Sequence, residues 1–142
     1  MQAKQGLEMS QIFDPIRKKY VARTPEEEVR QYIISLLLEK LLIPSSHIAV
    51  EQGFKYNDLQ YRADIVVYDS HLTPVMLVEC KAPSVSLSDS VIEQVVRYNF
   101  VLKVAYIMIS NGNKTYLCKW NPQEEKYIFA DDIPTYEQLN AQ

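Results

Sequence analysis

The stretch LVECKAP, residues 77–83, sets Glu79 and Lys81 two positions apart at the end of an apolar run. Side chains alternate faces along a strand, so a strand here puts the acid and the base side by side. Upstream, in the run RADIVVY, stands Asp64. With a hairpin centred between His71 and Leu72, paired positions sum to 143 and Asp64 falls directly opposite Glu79. Opposed residues have Cβ atoms roughly 5 Å apart. Two carboxylates that close repel unless a proton or a cation lies between them. Oxygen ligands converging beside a lysine make a site for a hard divalent cation, whose chemistry is the activation of water and the stabilisation of developing negative charge.

Glu26 offers a third acid. Along TPEEEVRQYIISLLLEKLL, a step of 100° per residue gathers Val29, Ile33, Leu36, Leu37 and Leu41 on one broad face. Glu26 and Arg30 project from that face, Glu28 points away and Glu27 sits at its edge. A glutamate in an apolar face requires a partner. Glu26 either joins the two acids or pairs with Arg30 one turn on, and the pattern favours neither. Glu27 is expected to complete a capping box with Thr24. Gln94 and Tyr98, four apart, share a helix face, where core-edge packing would also explain them. His47 and His71 show no metal spacing with each other or with the cysteines, and Cys80 lacks a histidine base, so neither zinc nor a thiol nucleophile is expected. Arg97 and Lys103 read as a solvated face.

The elements that must position these residues follow from period and punctuation. Thr24 as N-cap and Pro25 at the first helical position open a helix over residues 24–42. Alternation and β-branched content predict strands over about 47–56, 62–69 and 74–81. LSDSVIEQVVRYNFVL is a second helix, with Ser86 or Ser88 near its start. VAYIMIS and KTYLCKW are two more strands joined by the turn NGN, and a short strand near 126–129 and a helical turn after Pro134 close the chain. The order predicts an α/β fold, one mixed sheet with flanking helices.

With 142 residues and 47% hydrophobic content, one domain is expected over residues 1–142: an N-terminal extension, 1–23, that wraps the surface, a core, 24–120, and a C-terminal extension, 121–142. The net charge of −3 gives no general pull toward nucleic acid, so a polyanion would have to meet a local patch. Two cysteines without a pairing pattern suit a reducing cytoplasm. The N-terminus lacks the apolar run of a signal peptide, and the most apolar stretch is cut by Ser35, Glu39 and Lys40, so no membrane span is expected.

RADIVVYDSHLTPVMLVECKAP resembles the core motif of the PD-(D/E)XK nuclease superfamily, with Asp64, Glu79 and Lys81 matching its acid, acid and lysine. EQVVRYN matches the Gln-xxx-Tyr signature of the RecB-like branch at Gln94 and Tyr98. The PEE-x-VRQ-like helix start and the SNG turn at 110–112 are similar to the N-terminal nuclease domain of type I restriction enzyme R subunits. The resemblance runs from about Thr24 to Trp120, and Ala63 stands where many such nucleases have proline. It implies a restriction-endonuclease-like α-β-β-β-α-β core and a Mg²⁺- or Mn²⁺-dependent endodeoxyribonuclease. The metal would be held by Asp64, Glu79 and the backbone carbonyl of Cys80, with Glu26 as the further acid. Gln94 and Tyr98 would orient the site or touch the DNA backbone. R subunits also carry motor domains, which this sequence does not include, so the expected partners are DNA and either restriction-system subunits or a separate motor protein. A non-catalytic DNA- or protein-binding module on the same fold is the alternative, and a buried structural ion network is a third reading of Asp64, Glu79 and Lys81.

Overall fold

The computed structural model describes residues 10–56 and 58–141. Helix α1, Pro25–Glu39, begins as its sequence dictates. The Thr24 hydroxyl accepts the Glu27 N–H at 3.1 Å, and Pro25 lacks an N–H that the first turn would leave unpaired. Val29, Ile33, Ile34 and Leu37 are buried along one side of the helix, packed on a sheet.

That sheet has six strands in the order β3 (Ile48–Tyr56), β4 (Leu59–Tyr68), β5 (Pro74–Cys80), β6 (Tyr106–Ser110), β7 (Thr115–Asn121) and β8 (Lys126–Phe129). All neighbours are antiparallel except β5 and β6. The parallel pair requires a crossover, which helix α2, Asp89–Asn99, supplies. Ser88 is its N-cap, accepting the Val91 N–H at 3.4 Å. The expected α/β architecture, a mixed sheet between helices, is therefore present.

Alternation along the strands divides the core into two layers. Ile65, Val67, Met76, Val78 and Cys80 face α1, together with Leu139 of a short C-terminal helix α3, Tyr136–Asn140. Val66, Leu77, Ile107 and Ile109 face Ile92 and Val95 of α2. Every residue of β6 is buried, as befits a strand covered on both faces. The β6–β7 turn requires Gly112, whose φ of +86° suits a residue without a Cβ. Asn111 completes the turn by accepting the Asn113 and Lys114 N–H groups at 2.9 and 2.8 Å.

The β4–β5 register repays close reading. Ile65 pairs with Val78, Val66 with Leu77 and Val67 with Met76, each summing to 143 as expected. Nearer the loop, Tyr68 pairs with Pro74, and the Asp69 N–H reaches the Thr73 carbonyl at 2.9 Å, so the loop itself has odd length. Val75 is the extra residue, and the irregularity between Val67 and Tyr68 absorbs it. The bulge restores the register that aligns the acids.

The N-terminal extension departs from expectation. Strands β1 (Gln11–Asp14) and β2 (Lys19–Ala22) form a separate two-stranded antiparallel ribbon rather than an irregular wrap. Buried Asp14 organises its turn, accepting the Ile16 and Arg17 N–H groups at 2.7 and 2.8 Å and pairing with the Arg17 guanidinium at 2.6 Å. Among the described residues no helix is long and apolar enough to cross a membrane.

Candidate active site

One residue beyond the Ile65–Val78 pair, on adjacent strands, stand Asp64 and Glu79. Glu79 shares the face of Leu77, toward α2, and lines the cleft there, whereas Cys80 packs in the layer under α1. The Asp64 carboxylate accepts the Cys80 N–H at 2.7 Å, which locks it across the end of β5. The Lys81 N–H donates to the Ser110 carbonyl at 2.8 Å, so the strand leaves the sheet in a fixed direction. The Lys81 ammonium lies 3.3 Å from the Glu79 carboxylate.

Burial raises the Asp64 pKa above its ordinary value, against the opposing pull of the Cys80 N–H, Arg30 and Lys81. Burial first, then repulsion from Asp64, raises that of Glu79, while Lys81 and Arg30 hold it back. The Cys80 thiol is pushed far above its usual range, chiefly by burial, which leaves it inert as a nucleophile.

Helix α2 brings Gln94 and Tyr98 to the same place. Both line a cavity of about 310 Å³ together with Glu79, Lys81 and Arg62. The Tyr98 hydroxyl accepts the Arg62 N–H at 3.2 Å, and its ring lies 5.2 Å from that of Tyr61. These contacts fasten α2 to β4 above the acids.

Glu26 is corrected by the geometry. It is exposed on α1, and the acid that turns inward is Glu27. The Glu27 carboxylate takes Arg17 at 2.8 Å and Gln31 at 3.1 Å, with the Arg30 Nε at 3.3 Å. Only half of the expected capping box forms, because the Glu27 side chain is committed to these partners. Counter-charges reached through the fold bury an acid that the helical pattern leaves at the edge.

Glu51 and Arg62 escaped the sequence reading, and Arg30 entered it only as a partner for Glu26. Val50 pairs with Ile65 and Gln52 with Ala63, which sets Glu51 across from Asp64. Glu51 adopts φ +55°, a left-handed conformation that costs a non-glycine residue about 1 kcal/mol or more, and the ladder is broken there. Its carboxylate meets Arg62 at 2.8 Å, Arg30 at 3.3 Å and Arg17 at 3.9 Å. A charged residue inside the first predicted strand segment, 47–56, was the one available signal.

The donor set fits a hard cation that keeps much of its water: two partly buried carboxylates that repel one another on neighbouring strands. Among the described residues no cluster of three or more His, Cys, Asp or Glu side chains could hold a metal, so a closed zinc site does not fit.

A six-stranded mixed sheet flanked by helices, with two acids and a lysine at one end, has the architecture of restriction-endonuclease-like nuclease domains. The chain belongs to the family described as type I restriction enzyme R protein N terminus, whose model matches residues 25–134. No curated protein matches the chain. Two of the solved structures that share its fold are informative. One is a fragment of an inferred HsdR subunit of a type I restriction enzyme from Vibrio vulnificus YJ016, at 16% identity and a TM-score of 0.56 over 80% of this chain. This chain spans 24% of that one. The other is an inferred nuclease belonging to DUF820 from Anabaena variabilis ATCC 29413, at 10% identity and a TM-score of 0.51, with 87% of each chain covered.

Proposed function

We propose that the domain hydrolyses DNA phosphodiester bonds with Mg²⁺ or Mn²⁺, as an endonuclease. The observation that carries the reading is a cavity lined by Glu79, Lys81, Gln94 and Tyr98, with Asp64 held on the neighbouring strand by the Cys80 N–H. Asp64 and Glu79, with the Cys80 carbonyl, would hold the cation, which when bound supplies Lewis-acid stabilisation of the phosphate and a more acidic water. Lys81 donates to the attacking water and to the negative charge that develops on the phosphoryl oxygens. Gln94, which lines the cavity, meets the DNA backbone there, and Tyr98 keeps Arg62 in place for a neighbouring phosphate. Family membership supports DNA and restriction-system subunits, or a separate motor protein, as partners.

Supercoiled plasmid tests this. The wild type should nick it in Mg²⁺ or Mn²⁺ and not in EDTA. Lys81→Ala should lose about 10²-fold or more in rate while binding DNA normally. Nicking that survives in Lys81→Ala would remove the lysine from the mechanism. A second reading, a non-catalytic binding module, draws on the absence of a third metal-facing acid among the described residues. DNA binding without any nicking by the wild type would decide for it.

A further inference from the structure

The chain is acidic overall, yet residues 10–23 carry Arg17, Lys18, Lys19 and Arg23 against the single acid Asp14, a local charge of +3 in a chain of net −3. This segment is the β1–β2 ribbon and its flanks. Two of its cations are spoken for: Arg17 by Asp14 and Glu27, and Arg23 by the Gln11 carbonyl and Glu28. Lys18 in the turn and Lys19 beside it are exposed, and neither forms an ion pair among the described residues.

The ribbon also carries aromatic surface. Phe13 and Tyr20 are cross-strand partners on its outer face, 47% and 58% exposed, with ring centroids 5.2 Å apart at 67°. Ile12 and Val21 fill the other face and are partly buried, so the aromatics are not there to pack the ribbon down. Charge and exposed rings fall on one small element.

Its position gives it a use. Arg17 in the ribbon turn lies 3.9 Å from the same Glu51 carboxylate that holds Arg62 at 2.8 Å, and Arg62 lines the cleft. One side chain therefore separates the ribbon from the rim of the candidate active site.

We infer that the β1–β2 ribbon binds single-stranded DNA beside the active site, its bases stacking on Phe13 and Tyr20 and its phosphates meeting Lys18 and Lys19. The inference rests on the nuclease reading for the choice of polyanion. Unpaired bases offer open faces to aromatic side chains, whereas a duplex keeps its bases stacked inside and offers the ribbon only phosphates. Recognition is then tolerant of sequence and sensitive to salt.

The test is fluorescence anisotropy with a labelled oligodeoxythymidylate, and with a duplex for comparison, in EDTA so that nothing is cut. The double variant Phe13→Ala/Tyr20→Ala should bind the single strand about tenfold more weakly and the duplex almost as well as wild type. Lys18→Ala/Lys19→Ala should lower the slope of log affinity against log salt on the single strand by about 1.4. Lys18 and Lys19 are exposed, so their variant should melt at the wild-type temperature, and the aromatic variant, which loses the Phe13–Tyr20 pair, within a few degrees of it. Unchanged single-strand binding in the aromatic variant overturns the inference, including the case in which the ribbon instead proves to bind a protein, and so does an equal loss on both DNAs. Because the assay needs no cleavage, ribbon-dependent binding by a chain that never nicks plasmid would sink the nuclease reading and leave the ribbon standing. Nicking with ribbon-independent binding would do the reverse.

Discussion

Asp64 and Glu79 are partly buried acids on neighbouring strands, and their titration carries a sign that can be checked. Both carboxyls are raised above ordinary values of 3.8 and 4.5, mainly by burial. The folded state therefore holds these protons more tightly than the unfolded state. Their contribution to stability is fully present below the unfolded values and is lost as pH rises through the raised ones. At neutral pH without metal the charged pair is a net cost. Asp64→Asn keeps an oxygen acceptor for the Cys80 N–H and removes one repelling charge. Thermal melts in EDTA should show this variant a few degrees above wild type at neutral pH, the gap closing as pH falls toward about 4. A wild type that melts higher at neutral pH would mean that Arg30 and Lys81 outweigh burial. At this scale Asp64, Glu79 and Lys81 were legible because a strand period of two and a hairpin register suffice to align them. Glu51 and Arg62 were not, since their roles depend on a left-handed residue in β3 and a ring from α2, neither of which leaves a local pattern.

Helix α1 shows why amphipathic patterning finds an element more readily than its buried polar residues. Its start, its N-cap and its apolar positions Val29, Ile33 and Leu37 follow from the sequence. The same wheel placed Glu26 at the centre of the buried face, but the helix also buries Glu27, Arg30 and Gln31. That polar stripe is stable only because Arg17 arrives from the ribbon, a pair of four-residue strands too short for alternation to announce. Removing Glu27 would leave Arg17 with Asp14 and the more distant Glu51, and Arg30, whose Nε and Nη1 make no hydrogen bond, with Glu51 as its one ion-pair partner among the described residues. Urea unfolding should therefore give a loss of about 3 kcal/mol for Glu27→Ala, as for a buried ion pair stripped of one partner. Glu26→Ala should stay within about 0.5 kcal/mol, as for an exposed surface change. Equal, small effects would return Glu27 to a mere capping role.

On the scale of the whole molecule, the sheet, α2 and the ribbon all direct charge to one end of the fold. β4 and β5 deliver the acids, the parallel β5–β6 pairing sets the course of Lys81, and α2 closes the cavity with Gln94 and Tyr98. The mixed sheet was legible in the order of elements; the convergence of α1, the ribbon and β3 on a shared arginine network was not, because it joins residues as far apart as Asp14 and Arg62. A cation that binds only the folded arrangement must stabilise the entire molecule by mass action. Mg²⁺ or Mn²⁺ at 100 times its dissociation constant would add about 2.7 kcal/mol, a shift that calorimetry resolves easily. The rise in melting temperature should vanish in Glu79→Gln, which removes an ion ligand, and persist in Lys81→Ala, which removes none. It should also be larger at neutral pH than at acidic pH, because the raised carboxyls take up protons that compete with the ion. A rise that survives in Glu79→Gln would place the cation elsewhere on the molecule, and the two acids would then be a partly buried charge pair balanced by the Cys80 N–H, Arg30 and Lys81.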